Sequence, residues 1–322
     1  MPRRLLAVLA LCCSCGALVP ADSGPTGGSN SEAGESSEGG GLDLPKPAAA
    51  DLVVATFNVH LFFDTTCDSG SCGGGDFESA PNQGQFDYRA DEISEAIDAF
   101  DADVVLLQEV ENQSCLDALH QRLGAGYKTA ILGETHFPAS VDVAVLSRFE
   151  SLEVRRHSDV PIDLPGGGQT WFAREFLEVH LEADGHRLIV FAAHFKSKND
   201  DDPERRLAEA TRAREIVDAS AAEFPDAVIV MGGDLNDTPD SPPLVALIGD
   251  GGLLRVAAEL APDDWTYEYN DEHRALDHLL QATAATGGTY IAGSAHVFRD
   301  GGSDGWGGSD HAALRASFRA GS

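Results

Sequence analysis

The sequence predicts an α/β sandwich, because strand-like and helix-like segments alternate along the 322-residue chain. Hydrophobic residues make up 43% of the chain, enough to fill one large core or two small ones. Hairpin-like apolar runs lie in the middle of the chain, which also fits a sandwich of sheets and helices. The predicted strands are 103–108, 142–147, 171–182, 187–193 and 226–231.

Three helices are predicted among these strands. In 91–100, apolar residues recur on one face at helical spacing. Ser114 can cap a second helix whose leucines face inward. Pro203 is expected to begin a longer third helix that runs to about Phe224, because proline suits the first turn of a helix. No internal repeat is visible, so the chain is not a repeat protein.

The motif GGDLND at residues 232–237 is the most informative part of the chain. It follows the apolar run 228–231, so a buried strand is predicted to stop at two glycines and then present an acid and an amide near one point. Aspartate is rare in strands and glycine weakens them, so the motif needs either a turn or a site to explain it. An Asx turn is the alternative, and it explains Asp234 or Asn236 equally well.

Several other strand-like runs also end in groups that can bind a metal ion or a phosphate. One polar residue at the end of one strand is ordinary, but a set of six such positions is not. Besides Asp234, these positions are Asn58, Glu109, His194 and Asp277, which follow apolar runs, and the pair Asp310 and His311, which opens the last run. The set therefore indicates a functional site.

These residues resemble, in order and spacing, the motifs of the endonuclease/exonuclease/phosphatase superfamily. The resemblance rests on TFNV, LLQEVEN, AAHFKSK, GGDLND, LDHLL and SDHAAL, within residues 52–318. The segments LQEVEN, HFKSK and TYEYNDEHRALDH are most similar to bacterial extracellular nucleases. The resemblance implies a deoxyribonuclease-I-like fold, which is a four-layer sandwich of two packed mixed β-sheets flanked by helices. It also implies one catalytic domain over residues 51–322.

The resemblance further implies a hydrolase that depends on a divalent metal ion, with Mg²⁺ expected and Mn²⁺ or Ca²⁺ as alternatives. In this interpretation Glu109 is the principal metal ligand, Asp310 is a second ligand, and Asn58 is a neighbour of the metal that orients them. Carboxylate oxygens are the hard ligands that these cations prefer. Some relatives have an additional acid where this chain has His60, so the number of metal ions stays open.

Catalytic roles also follow from the resemblance. Hydrolysis of a phosphodiester needs an activated water and positive charge near the transition state. Asp234 is the expected general base or water-orienting acid, and Asn236 is expected to hydrogen-bond the phosphate or the water. His194 is expected to donate a hydrogen bond to a phosphate oxygen or to the leaving group.

A second group of residues is expected to supply positive charge. His311 would pair with Asp277, whose carboxylate holds the imidazole in one tautomer and raises its pKa. Arg174 is similar to a phosphate-binding arginine of the family, and a planar bidentate donor suits that task. For Arg174, an exposed charge on a strand is the alternative. His60 and His278 are interpreted as simple polar positions.

The chain is strongly acidic, with 53 acidic and 22 basic residues and a formal charge of −31. Residues 1–47 hold 5 of the acids and 3 of the bases, so the rest of the chain has a charge of −29. Such a charge repels a polyanion, so a nucleic acid substrate is expected to be bound weakly.

The predicted function is hydrolysis of DNA or RNA phosphodiester bonds by water that Asp234 activates. One alternative keeps the fold and the chemistry but changes the substrate to a phospholipid or an inositol phosphate. The other alternative is a surface-tethered binding module without catalytic activity. No protein partner is predicted.

Residues 1–21 indicate export. Two arginines precede an apolar stretch that is too short to span a bilayer stably, as in a signal peptide. The cysteines at its end resemble a lipoprotein processing site, with Cys15 as the expected lipidated residue and Cys12 or Cys13 as alternatives. The protein is therefore expected to be a cell-envelope lipoprotein, at the outer membrane or the surface, or to be secreted.

Residues 22–50 are predicted to be a disordered tether. They are rich in Gly, Ser, Glu and Pro and have almost no bulky apolar side chains that could be buried. Beyond the tether, Cys67 and Cys72 lie in a Gly-rich loop, where an exported chain can keep a disulfide. Cys115 is expected to be a buried single thiol.

Overall fold

The computed structural model describes residues 51–300 and 305–321. The predicted export signal (1–21) and tether (22–50) lie outside these residues, and so do the three cysteines considered for lipidation. Among the helices that are described, none is long and apolar enough to cross a membrane.

Helices and strands alternate along the described part of the chain. The helices are α1 (Gln83–Asp98), α2 (Gln113–Leu123), α3 (Pro203–Glu223) and α4 (Pro242–Ile248). The strands are β1 (Asp51–Phe62), β2 (Val104–Val110), β3 (Thr129–Gly133), β4 (Asp142–Ser147), β5 (Glu150–Arg156), β6 (Ile162–Asp163), β7 (Gln169–Thr170), β8 (Leu177–Ala183), β9 (His186–His194), β10 (Val228–Asp234), β11 (Leu253–Arg255), β12 (Tyr267–Tyr269), β13 (Glu272–Arg274), β14 (Asp277–Ala282), β15 (Gly288–Tyr290), β16 (His296–Phe298) and β17 (Ala313–Ala320).

Most of the strands form two mixed sheets. The first sheet has the order β15-β17-β1-β2-β4-β3, and β16 also pairs with β17. The second sheet has the order β11-β14-β10-β9-β8-β5. The pairs β1 with β2 and β9 with β10 are parallel, whereas the other pairs in both sheets are antiparallel. Two short ribbons, β6 with β7 and β12 with β13, are separate from the sheets.

The two sheets pack face to face, with helices on both outer sides. Alternate side chains of β1 point to different layers: Leu52 and Val54 join the core between the sheets, and Val53 and Phe57 join the core under α1 and α2. On the outer side of the second sheet, Phe191 packs in the core that includes α3 and α4. The predicted four-layer sandwich of two mixed sheets flanked by helices is therefore confirmed.

The register of the strands brings several predicted site residues together. Asp234 is the last residue of β10 and lies directly opposite His194 of β9 and Asp277 of β14. In the first sheet, Asn58 of β1 lies beside the end of β2 that carries Glu109. Because the sheets pack face to face, residues from both sheets meet at the same end of the sandwich.

The strand predicted over 171–182 is wrong at its start, because β8 begins only at Leu177. Before this point the backbone N–H of Ala173 donates to Oε1 of Glu209 at 2.7 Å instead of to a neighbouring strand. Arg174 therefore lies on a loop, and the alternative of an exposed charge on a strand is also wrong.

Two helix starts differ from the prediction. The first helix, α1, begins earlier, at Gln83, because the side chains and backbones of Asn82 and Gln85 form a capping box there. Helix α2 is capped by Asn112 and not by Ser114, since the side chain of Asn112 accepts a hydrogen bond from the first turn. The third predicted helix agrees with α3.

Candidate active site

The strand that leads into the GGDLND motif does not stop at its glycines, so that prediction is wrong. Strand β10 continues through Gly232 and Gly233 to Asp234. A Cβ atom on Gly233 would lie 1.8 Å from the carbonyl oxygen of Ala193, and its φ of 150° also favours glycine. The glycines thus let β9 and β10 stay paired to their last residues, which places Asp234 beside His194.

Asp234 is buried, and its two carboxylate oxygens have different partners. Oδ1 accepts from the backbone N–H of Asn236 at 2.8 Å, which is the Asx turn that the sequence allowed. Oδ2 accepts from Nδ2 of Asn58 at 3.1 Å and lies 3.6 Å from Nε2 of His194. Burial raises the pKa of Asp234 to about 7. A carboxylate with this pKa can take a proton near neutral pH, as a general base must.

Asp277 and His311 form a buried pair next to Asp234. Asp277 begins β14 rather than following a strand, but β14 is antiparallel to β10, so the residue still meets the end of β10. Nδ1 of His311 lies 2.8 Å from Oδ2 of Asp277, and its Nε2 lies 3.9 Å from Oδ2 of Asp234. Burial alone lowers the pKa of His311, but the charges of Asp277 and Asp234 outweigh burial and raise it to about 10. The ring is therefore protonated at neutral pH.

The Asp277→Asn substitution is expected to shift the alkaline limb of the pH–rate profile to lower pH. Activity that needs the imidazolium of His311 persists below its raised pKa and fades as the pH rises through that value. An amide beside the ring adds no negative charge, so the pKa falls toward the ordinary value of about 6.5. The measurement is kcat/KM against pH for both proteins. An alkaline limb that stays in place would remove this pair from the mechanism.

Glu109 has the carboxylate best placed to hold a divalent cation. Its φ of 66° is uncommon for a residue other than glycine, and such conformations concentrate at functional sites. Oε2 accepts from the backbone N–H of Leu61 at 2.8 Å, and Oε1 accepts from Nδ2 of Asn58 at 3.3 Å. Asp310 lines the same cleft and lies 2.6 Å from Nδ1 of His60. These carboxylates offer a cation the hard oxygen ligands that Mg²⁺ prefers.

Asn58 acts in this structure as a donor to the carboxylates. Its Nδ2 donates to both Glu109 and Asp234, while its Oδ1 accepts from the backbone N–H of His60 at 3.0 Å. Because its Nδ2 donates to both carboxylates, the amide fits the expected orienting role.

Asp234, Asp277 and His311 are a second group that could hold a metal ion, since their ligand atoms lie within 4.8 Å of one another. A protonated imidazole has no lone pair for a metal ion, and Nδ1 of His311 is already bonded to Asp277. The chemistry of this group therefore fits a hydrogen-bonded relay better than a cation site. Glu109 and Asp310 are the better donors for a divalent ion.

Arg174 and Asn236 line the cleft beside Asp234. Nη1 of Arg174 donates to the carbonyl oxygen of Phe195 at 3.4 Å, and Nδ2 of Asn236 donates to the same oxygen at 3.2 Å. This shared carbonyl holds both side chains at the end of β9. A guanidinium has five N–H donors, so Arg174 can bind a phosphate while it keeps this contact.

His194 is fully buried and uncharged. Burial lowers its pKa well below the ordinary value, and the charges of Arg174 and His311 lower it further. Its Nε2 lies 3.6 Å from Asp234 and 4.0 Å from Glu109. A neutral imidazole with its proton on Nε2 can donate a hydrogen bond to a phosphate oxygen, but it does not supply an imidazolium as an acid.

Glu209 of α3 holds two loops of the site and was missed by sequence reasoning. Its carboxylate accepts from the backbone N–H groups of Ala173 and Lys196, both at 2.7 Å. Glu209 thereby fixes the residue before Arg174 and the loop after His194 to one helix. A glutamate in the middle of a helix has no signal that separates it from ordinary surface charge, so the sequence could not reveal it.

His60 and Tyr267 line the cleft, although neither was predicted as a site residue. The hydrogen bond with Asp310 raises the pKa of His60. The ring of Tyr267 packs on the ring of His311, with centroids 4.8 Å apart. His60 could have been found from its position two residues after Asn58, and Tyr267 from its place in the segment TYEYNDEHRALDH, which resembles bacterial extracellular nucleases.

A cleft of about 650 Å³ unites the predicted residues. Seven of the nine predicted site residues line it, and the other two, Asn58 and Asp277, are buried and bonded to residues that do. The seven are Glu109, Arg174, His194, Asp234, Asn236, Asp310 and His311. The arrangement can bring a cation, a phosphate and a water molecule to one place.

The cysteines agree with the sequence analysis. Cys67 and Cys72 form a disulfide. Cys115 is a buried free thiol, and burial raises its pKa, so it is a poor nucleophile.

Residues 55–311 match the sequence model of the Endonuclease/Exonuclease/phosphatase family. The chain belongs to this family. The matched segment runs from β1, which carries Asn58, to His311, so it contains all nine predicted site residues. As a member of the endonuclease/exonuclease/phosphatase family, the protein is a hydrolase that acts on phosphate ester bonds. Among curated proteins, none matches the chain in sequence.

Solved structures of several other proteins have the same fold. An endonuclease/exonuclease/phosphatase from Bacteroides vulgatus is 15% identical, with a TM-score of 0.59 over 84% of this chain and 99% of that chain. D. rerio TDP2 complexed with a single-strand DNA product is 18% identical, with a TM-score of 0.56 over 84% and 99%. The human Nocturnin catalytic domain with a bound sulfate anion is 16% identical, with a TM-score of 0.57 over 84% and 94%.

Proposed function

We propose that this protein is a divalent-metal-dependent nuclease that hydrolyses DNA or RNA phosphodiester bonds. The observation that carries the proposal is the buried carboxylate of Asp234, which Asn58 links through one amide group to the carboxylate of Glu109. Glu109 and Asp310 would hold the cation, with Mg²⁺ expected. A bound cation would polarise the scissile phosphate and lower the pKa of a bound water.

The chain's own residues can supply the rest of the mechanism. Asp234 takes the proton from the attacking water, which its raised pKa permits near neutral pH. The imidazolium of His311, held by Asp277, lies close enough to Asp234 to stabilise negative charge that develops in the transition state. Arg174 and the N–H of His194 donate to phosphate oxygens and hold the phosphate in the cleft.

Two observations support a nucleic acid as the substrate. TDP2 from D. rerio, which shares the fold, has been solved with a single-strand DNA product. The segments LQEVEN and HFKSK resemble those of bacterial extracellular nucleases. The charge of −29 beyond residue 47 is compatible with this substrate if binding is weak and local to one phosphate.

A phospholipid is the second candidate substrate. The side chain of Trp171 is 50% exposed and directly follows the β6–β7 ribbon, so it could contact a lipid surface. An inert binding module has less support, because the cleft contains a complete set of catalytic groups.

The test is hydrolysis of a substrate panel by the purified protein, with and without EDTA. The panel contains plasmid DNA, RNA, sphingomyelin and inositol phosphates. We expect cleavage of nucleic acid that EDTA abolishes and that an Asp234→Asn protein, purified in the same way, lacks. Hydrolysis of only the lipid or the inositol phosphates would replace the nuclease proposal. Hydrolysis of nothing in the panel under Mg²⁺, Mn²⁺ or Ca²⁺ would support the inert module.

Export and membrane attachment through Cys15 are part of the same proposal and rest on residues 1–21 alone. The intact mass of the mature protein tests them. A mature chain without a diacylglycerol adduct at any of its first cysteines would leave secretion as a soluble protein.

A further inference from the structure

A second pocket, with a volume of about 360 Å³, adjoins the catalytic cleft. Phe77, Val141 and Arg174 line both cavities, so the pocket is continuous with the place where the scissile phosphate is proposed to bind. A chemical group attached on one side of that phosphate could therefore reach this pocket. Apart from Arg174, the residues of the pocket have no role in the catalytic steps described above.

The pocket is bordered by two exposed aromatic rings. Phe77 is 58% exposed and Phe137 is 74% exposed, and the latter is the largest exposed fraction among the exposed large hydrophobic residues described. Pro138, Ala139 and Val141 add further apolar surface. Exposing two phenylalanines at the edge of a catalytic cleft loses the stabilisation that their burial would give, so a role in binding accounts for them better than a role in folding.

Phe137 is carried by a loop that is fixed in place. The buried carboxylate of Asp142 accepts from Oγ1 of Thr135 and from Oγ of Ser140, both at 2.7 Å. Ala139 has a positive φ of 55° in the same loop. These bonds use the hydroxyl protons of Thr135 and Ser140, so apart from Arg174 the side chains that the pocket presents to a ligand are mainly apolar.

Phe77 is fixed from the other side of the pocket entrance. Its ring packs edge-to-face on the buried Phe63, with centroids 5.7 Å apart. The next residue, Glu78, is buried and accepts from the backbone N–H groups of Asp68 and Ser69 at 2.5 and 2.7 Å. Both rings are thus presented at defined positions before any ligand binds.

We propose that this pocket binds the nucleobase next to the scissile phosphate by stacking on Phe77 and Phe137. The inference rests on the proposed nuclease function and specifies its substrate as an unpaired, single-stranded segment. Stacking needs no complementary charge, so it can supply affinity that the acidic chain does not obtain from extended contacts to phosphates. Since both hydroxyl protons are already donated to Asp142, we expect the pocket to bind the face of the base and to tolerate different bases.

The test compares two single-stranded oligonucleotides that differ only in having a base or an abasic site next to the cleaved bond. Wild-type protein is expected to have a kcat/KM about tenfold higher for the oligonucleotide with the base, within the range for stacking on one aromatic residue. Phe137→Ala should remove this preference, and Phe137→Trp should restore it. Tyr88→Ala is the matched control, since Tyr88 is 65% exposed and lines neither cavity. Tyr88→Ala should keep the preference.

A binding experiment separates failure of this inference from failure of the nuclease proposal. A single-stranded oligonucleotide that contains 2-aminopurine is mixed with the Asp234→Asn protein and, separately, with the Asp234→Asn protein that also carries Phe137→Ala. We expect the fluorescence of 2-aminopurine to be quenched only when Phe137 is present. The stacking site would be overturned if wild-type and Phe137→Ala proteins had the same preference for the oligonucleotide with the base and if the quenching did not depend on Phe137. The nuclease proposal would remain intact in that case. Loss of sphingomyelin hydrolysis in vesicles by Phe137→Ala, without any oligonucleotide cleavage by wild-type protein, would assign the pocket to lipid and overturn both.

Discussion

The Asp234→Asn protein is expected to fold normally and to lose about two orders of magnitude or more in turnover, the scale of proton-transfer catalysis. The amide can keep the Oδ1 contact with the backbone of Asn236, so the Asx turn survives. It has no basic oxygen to take a proton from water. Since the wild-type carboxylate has a pKa of about 7, the wild-type activity should also fall as the pH drops below that value.

The measurement is kcat at saturating substrate and metal, together with thermal unfolding of the same samples. Asp264→Asn is the matched control, because Asp264 is also a largely buried carboxylate but pairs with Arg255, and neither residue lines the cleft. This control should retain wild-type turnover even if it unfolds at a lower temperature. Wild-type turnover in a folded Asp234→Asn protein would show that another group activates the water.

Glu109→Gln is expected to raise the Mg²⁺ concentration that gives half-maximal activity by more than about tenfold, because it removes a charged oxygen ligand. In the wild-type protein, added Mg²⁺ should raise the unfolding temperature, since a ligand that binds the folded state stabilises it. That increase should be lost in Glu109→Gln, which gives a readout that does not depend on catalysis.

Glu111→Gln is the control for this experiment. Glu111 lies two residues further along the same motif and is buried, but it does not line the cleft. It should therefore keep the metal titration of the wild-type protein. An unchanged titration in Glu109→Gln would show that the cation binds elsewhere, with the group of Asp234, Asp277 and His311 as the next place to test.

The residues of the site could be predicted because their chemical types are rare at the ends of apolar strands. Asp234 and His194 are the last residues of buried strands and Glu109 is the penultimate residue of another, and the fold brings those ends together. The sequence could not show where each strand ends, because this depends on the distance between neighbouring strands in the folded protein. The pairing of β10 through Gly233, for example, follows from the close approach of Ala193.

Supporting residues were harder to predict for a different physical reason. Glu209 acts by accepting hydrogen bonds from two backbone N–H groups that are far from it in sequence. The sequence alone does not distinguish such a glutamate from any other glutamate of a helix. The loop position of Arg174 was missed for the same reason, since its neighbour bonds to a helix and not to a strand. Local sequence patterns predict a helix or strand well when its hydrogen-bond partners lie within the same segment. They predict it poorly when the partners come from distant parts of the chain.

The side-chain amide of Asn58 connects the two sheets, because it donates to Glu109 of the first sheet and to Asp234 of the second. Neither sheet contains both the carboxylate proposed to bind the cation and the carboxylate proposed as the general base. A small sliding of one sheet over the other would change the separation of these two groups directly, as in the shear motions of packed layers. In the proposed mechanism, the apolar residues between the sheets would thus set the distance between the cation site and the base, although they lie far from any substrate. The alignment of the two sheets would then itself help to determine the reaction rate.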